Sequence, residues 1–299
     1  MSHRVKFDFE IDFTNGGGIA GRDFRLDIDA NDISDRELAD YLVADMRLLM
    51  VGEVRILDKQ IIEEAHKRPS TDPSPAGRYV DLSHVIEHGL VTYRGLPPAI
   101  ICDYLSREKS RELYAPGTEF QIGKIEMVTN TGTYIDCPFH RYADGDDLSQ
   151  VGIEAMCDLD AIVVRVDHRE VQAIGVEHFR AMQVKRRAVL VHTGWDAHWN
   201  TPAYFVGNPF LTEEAAIHLR DAGAKLVGID SHNIDDTRGN ARPVHSTLLG
   251  AGILIVEHMT NLSALPDAGF TFSAVPPKFK GVGTFPVRAL AKLRQGRSE

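Results

Sequence analysis

Apolar side chains fall on every second residue from Val5 to Phe13 (Val5, Phe7, Phe9, Ile11, Phe13), the two-residue period of a strand with one buried face. Gly16-Gly17-Gly18 breaks that run, and Phe24, Leu26 and Ile28 resume the alternation. Ser34 followed by Glu37 has the spacing of a capping box, which predicts a helix from Asp35 to about Met50; Val54–Leu57 is a further strand. Pro69, Pro73 and Pro75 then crowd one short stretch that neither a helix nor an interior strand tolerates. The expected division is a small α+β N-terminal extension, residues 1–74, and a main domain, residues 75–299. Within the latter, short apolar strands alternate with amphipathic stretches: 161–166, 177–182, 188–192, 212–222, 226–229 and 252–256. Thr212 with Glu213 and Glu214 is placed as a helix N-cap and acidic first turn, and Gly223 as its stop, so the expected class is mixed α/β.

Composition narrows the function more than the fold. With 43% hydrophobic and 25% charged residues the chain has the balance of an ordinary folded protein. Its formal net charge of -10 argues against a nucleic-acid partner, because such partners are held by clustered Lys and Arg. The one dense basic run, Lys185-Arg186-Arg187, is expected to be a solvated helix end. Cys102, Cys137 and Cys157 are an odd, unpatterned set that fits a reducing compartment, and no run is apolar enough to span a bilayer. A cytoplasmic address and no membrane partner are therefore expected, with a small molecule as substrate.

Three polar clusters stand at the ends of apolar runs, where ligand sites of α/β proteins gather. In Asn130 to His140, Pro138 forbids a regular helix between Asp136 and His140, so both belong on a strand end or turn. If the segment is extended, Asn130, Tyr134 and Asp136 share one face around Gly132; an ordinary loop in which Asp136 caps a turn and His140 packs on Phe139 fits the spacing equally. In Gly228 to Asp236, Asp230 and Asp235 are candidates to hold a metal or a histidine, or simply to form turns. The third cluster runs from His245 to Glu257 across the apolar run Ile253–Val256.

Taken together, these clusters resemble the metal-dependent cyclase family that includes kynurenine formamidases and isatin hydrolases. The family motif H-x-G-T-H-x-D-x-P-x-H is met here as N-x-G-T-Y-x-D-x-P-x-H from Asn130 to His140, and five of its seven specified positions agree. Asp81-Leu82-Ser83-His84, Thr193-Gly194-Trp195, Gly228-Ile229-Asp230, His245 with Leu248-Leu249, and Glu257 with Asn261-Leu262 extend the resemblance over roughly residues 79 to 290. It implies a swivelling β/β/α domain, a homodimer or homotetramer, and hydrolysis supported by zinc or manganese.

Carried over residue by residue, the resemblance leaves Asp136, His245 and Glu257 as metal ligands, with the Asn130 carbonyl assisting and His140 as general base. Asn130 and Tyr134 replace two family histidines. An amide oxygen is a weak ligand and a phenol must lose a proton of pKa about 10 to bind well, so a reduced, single-metal site is expected. One nitrogen among oxygens suits manganese, iron or magnesium comparatively better than the family set does, with zinc retained as a candidate. Tyr134, released from metal binding, could donate to an oxyanion, serve as an acid, or only fill space. His192 is a candidate substitute ligand or a plain strand end. Thr133, Phe139, Tyr142 and Trp195 are candidates for the substrate pocket. The leading expectation is a hydrolase of a small cyclic or aryl amide, lactam or lactone. The alternatives are a metal-independent isomerase, lyase or cyclase using Asp136, His140 and Tyr134, and a non-catalytic binding protein on the same fold.

Overall fold

In a computed structural model of the chain, residues 2–28, 32–46, 48, 50–64 and 79–294 are described. The chain divides into two compact units, Met1–Pro73 and Ser74–Glu299. The proline-rich stretch expected to join them lies outside the described residues.

In the first unit the alternating segments form an antiparallel sheet of three strands in the order β2-β1-β3, with β1 at Ser2–Phe13, β2 at Gly18–Ile28 and β3 at Val51–Glu64. Val5, Phe7, Phe9 and Ile11 turn one face of β1 onto Leu38 and Leu42 of helix α1, Asp35–Asp45. The capping box is present: the Glu37 amide donates to Ser34 Oγ at 3.2 Å and the Ser34 amide to Glu37 Oε2 at 3.0 Å. The helix stops at Asp45, earlier than the sequence suggests, and β3 starts at Val51, well before Val54.

The second unit is built on a nine-stranded sheet. Its parallel centre is β8 (Leu159–Arg165), β10 (Ala188–His192), β12 (Leu226–Ile229) and β13 (Leu254–Glu257). One flank adds β7 (Tyr134–Asp136) and then β15 (Thr284–Pro286); the other adds β14 (Phe270–Ser273), β16 (Leu290–Leu293) and β4 (Tyr79–Asp81), all antiparallel to their neighbours. Small two-stranded sheets pair β5 (Ile100–Leu105) with β6 (Ile122–Glu126), joined through helix α2 (Arg107–Leu113), and β9 (Ala173–Ile174) with β11 (Phe210–Leu211).

The central strands are apolar on both faces because both are covered. Ala161, Val163, Leu190 and Val256 enter one core; Ile162, Val164, Val189, Val191 and Ile255 enter the other, against helices α3 (Glu213–Asp221) and α4 (Pro243–Leu249). Thr212 caps α3 as expected. The stretch 177–182 is not a helix but a single 3-10 turn, Val176–His178, followed by turns, and Lys185–Arg187 lies in a turn with Arg186 at φ +60°, not at a helix end. Among the described residues no helix is long and apolar enough to cross a membrane.

Candidate metal and active site

Strand β7 lies between β13 and β15, and its register builds the site. Tyr134 faces Glu257 on one side and Pro286 on the other; Asp136 faces Ile255 and Thr284. Tyr134 and Asp136 are two residues apart and so share a face, while Ile135 between them enters the opposite core. The expected extended run from Asn130 does not occur, because Gly132 takes φ +68° and a Cβ there would come within 2.7 Å of the Ile86 side chain. Asn130 nevertheless reaches the same cavity wall as Tyr134. After Asp136 the chain turns through one 3-10 turn, Pro138–His140, with the His140 amide donating to the Cys137 carbonyl at 2.9 Å. This turn rests on Gly283, where any side chain would run into the backbone of Phe139 and His140.

The hydrogen bonds orient each imidazole. Thr284 Oγ1 donates to Asp136 Oδ1, so its oxygen must accept from His140 Nδ1, 2.7 Å away. Nδ1 of His140 is therefore the donor, and in the neutral ring the lone pair is on Nε2. His245, on α4, has Nδ1 2.6 Å from Asp235 Oδ2, and the same carboxylate accepts the Val244 and His245 amides at 2.7 and 3.0 Å. Asp235 thus holds a histidine and starts a helix at once. Nε2 of His245 then points at Asp136 Oδ2 (3.7 Å) and Glu257 Oε1 (3.8 Å).

Glu257, at the end of β13, accepts the Tyr134 hydroxyl at 2.7 Å and the Ile234 amide at 2.6 Å. Burial drives the Tyr134 phenol well above its ordinary range, with the Glu257 charge adding to it, so it is a donor and not a phenolate ligand. Burial also raises the Glu257 carboxyl, against the pull of His245. Burial alone would depress His245, but the carboxylates of Glu257, Asp136 and Asp235 override it and push the imidazole up to about 10. Three carboxylates around one imidazole are an excess of negative charge seeking a cation. Among the described residues Asp136 Oδ2 is buried with no hydrogen-bond partner, and Asp136, His140 and His245 each bring a ligand atom within 4.8 Å of the others. These donors fit a divalent metal.

A cavity of about 920 Å³ opens over this cluster, with Tyr93, Asn130, Tyr134, His140, His245 and Glu257 on its wall. The other expected pocket residues are not on that wall. Thr133 donates to the His258 carbonyl at 2.5 Å, Trp195 to the Tyr204 carbonyl at 3.0 Å and Tyr142 to the Ser246 carbonyl at 2.9 Å, while Phe139 packs on the core. Asp230 is consumed in holding the Thr193–Gly194 turn through both amides and the Thr193 hydroxyl. His192 lines a separate hollow with Arg165 and His168, away from the cluster. Residues not singled out from the sequence complete the site: Thr284, His258 beneath Tyr134 (Nε2 to the hydroxyl, 3.3 Å), Tyr93, Arg141 and Arg242. Thr284, nearly 150 positions from Asp136, carried no local signal.

A family model described as putative cyclase matches residues 80–236, just over half the chain, and the chain belongs to that family. Kynurenine formamidase from Bacillus cytotoxicus is 26% identical over 218 residues, which cover 73% of this chain and 98% of that one. The Geobacillus thermodenitrificans kynurenine formamidase is likewise 26% identical, over 71% of this chain and 95% of its own. Among solved structures, isatin hydrolase A from Labrenzia aggregata is similar with a TM-score of 0.61 at 20% identity, covering 73% of this chain and 94% of that one. A structure described as a potential metal-dependent hydrolase with cyclase activity gives 0.60 at 23%, covering 74% and 100%. The fold is that of this family.

Proposed function

We propose that the chain is a metal-dependent hydrolase of a small cyclic or aryl amide, lactam or lactone. The observation that carries this is the buried, unpartnered Oδ2 of Asp136 facing Nε2 of His245 at 3.7 Å under an open cavity. The names of the relatives, kynurenine formamidase and isatin hydrolase, support the same reaction class. Asp136 and His245 would hold one divalent ion, with Glu257 Oε1 beside them. A bound cation there would polarise the scissile carbonyl and lower the pKa of a water towards 7.

The remaining chemistry belongs to the chain. His140, a third exposed and with Nε2 unprotonated, accepts the proton of the attacking water and returns it to the leaving nitrogen or oxygen. Thr284 holds its ring in that tautomer. Tyr134 keeps the Glu257 carboxylate oriented and does not itself act as an acid, since its proton is committed to that carboxylate. Asp235 holds His245 Nδ1, so a cation that displaces the Nε2 proton would meet the lone pair on that side of the ring.

The test is elemental analysis of the purified protein joined to a panel of N-formyl anilines, lactams and lactones with and without chelator. One equivalent of metal, with turnover abolished by chelator and metal content lost in Asp136→Ala, is expected. Turnover that survives chelation would point instead to direct acid and base catalysis by His140 and Asp136. Metal retained in Asp136→Ala would refute the ligand assignment.

A further inference from the structure

Two arginines, Arg141 and Arg242, also line the cavity. Neither has a carboxylate partner among the described residues, whereas Arg55, Arg165, Arg169, Arg187, Arg238 and Arg288 all do. The Asp236 carboxylate, on the same loop as Arg242, is already taken bidentately by Arg238. Glu213 is on the cavity wall too, but it is exposed and pairs with neither arginine.

Arg242 is fastened in place. Its Nη1 donates to the carbonyls of Asp236 (3.3 Å), Gly239 (2.8 Å) and Ala241 (2.7 Å), and among the described residues the Nε and Nη2 protons have no hydrogen-bond partner. Arg141 donates from Nε to Ser246 Oγ at 3.1 Å, and that hydroxyl donates to the Arg242 carbonyl at 2.8 Å. One serine therefore ties the Arg141 side chain to the Arg242 backbone; the guanidinium also lies over the Tyr142 ring, 5.6 Å from its centroid, and among the described residues neither Arg141 Nη group makes a hydrogen bond. Anchoring of this kind costs little ordering entropy when a ligand arrives.

We infer that Arg141 and Arg242 form a carboxylate-binding subsite, and that the substrate is an anion whose carboxylate sits on this pair while its scissile bond lies over Asp136, His140 and His245. This rests on the hydrolase reading for the position of the scissile bond, but not for the binding of the anion. Arg141 follows His140 directly and Arg242 precedes His245 by three residues, so the clamp and the reacting groups are carried on the same two segments. A guanidinium fork matches the two oxygens of a carboxylate, and such charge-assisted pairs discriminate by roughly 10–100-fold.

Two probes separate the clamp from the chemistry: an aryl formamide bearing a ring carboxylate, and the same compound with that group as its primary amide. Calorimetry on the metal-loaded protein should show the acid binding at least about tenfold tighter than the amide. That ratio should collapse towards one in Arg242→Gln and fall in Arg141→Gln, with Arg242→Lys intermediate, in proteins whose melting temperature matches the parent. Equal binding of acid and amide by the parent protein would overturn the subsite. So would an acid preference that persists in both glutamine variants and disappears on chelation, since the metal would then be the anchor. A ring-sulfonate analogue bound as tightly as the carboxylate would overturn the carboxylate assignment. Failure of the hydrolase reading shows differently, as selective binding without turnover of either probe.

Discussion

Replacing Asp235 by Asn tests whether the site depends on the tautomer of one ring. The Asp235 carboxylate accepts three N–H groups: the Val244 amide, the His245 amide and His245 Nδ1. Asparagine offers one carbonyl oxygen and one donor group. The Val244 amide is on Oδ1, whereas the His245 amide and Nδ1 share Oδ2; if the asparagine oxygen stays with the Val244 amide, the NH₂ faces Nδ1, and the imidazole proton must move to Nε2. Nε2 is the atom that looks at Asp136 Oδ2 and Glu257 Oε1, and once protonated it has no lone pair for a metal. Forcing the proton back leaves one buried donor unpaired, a cost of about 1–3 kcal/mol. At about 1.4 kcal/mol per decade this corresponds to a loss of roughly 10–100-fold in metal affinity, the usual range for removing an outer-shell partner of a ligating histidine. Competition against a chromophoric chelator measures the affinity, and ¹⁵N shifts of His245 report the tautomer. Metal affinity within about twofold of the parent, with the proton still on Nδ1, would refute the reasoning.

Thr284→Val removes the hydroxyl that fixes His140 while keeping its shape; kcat should fall about 10–100-fold with little change in melting temperature, and Thr284→Ser should recover most of it. An unchanged kcat in the valine variant would show that His140 needs no such anchor. Gly283→Ala pushes a methyl group into the Phe139–His140 backbone, so thermal melts should show a loss of about 1–3 kcal/mol. His232 is buried and depressed to about 4 from an unfolded value of 6.5, first by desolvation and then by Arg94. Below pH 6.5 the unfolded chain takes up a proton that the folded chain refuses, so its stabilising share is complete above 6.5 and is lost as pH falls towards 4. The slope is at most about 1.4 kcal/mol per pH unit. Denaturant titrations of His232→Gln should show one proton less in this slope; an identical slope would mean that His232 is already charged in the folded state.

The sequence showed strands best where one face alternates or where a short apolar run is covered on both sides, as in β1, β10 and β12. Asp136, His140, His245 and Glu257 were singled out by the resemblance to the cyclase family, since their spacing alone fits ordinary loops and strand ends equally; the structure brings Asp136, His140 and His245 together, with Glu257 beside them. The sequence failed where geometry is set by distant partners. The extended run from Asn130 was undone by Gly132, whose left-handed backbone answers to Ile86. Helix α1 ended early because β3 must start at Val51 to pair with Phe13. Trp195 and Tyr142 look like pocket aromatics by type, yet their polar atoms are spent on backbone carbonyls, which no spacing could reveal. Thr284 and Arg242 matter only because sheet order and loop path bring them to the site.

The insertion of β7 between β13 and β15 has a consequence for how the protein is made. Tyr134–Asp136 finds its two neighbours only at 254–257 and 284–286, and β4 finds its own at 290–293. Contacts separated so widely along the chain are formed late, because loop closure must be achieved before pairing repays it. During synthesis His140 emerges long before Thr284, so its imidazole lacks that anchor until residue 284 has left the ribosome. A chain truncated before residue 284 would keep Asp136, His140 and His245 but lack the Thr284 hydroxyl that holds the first two.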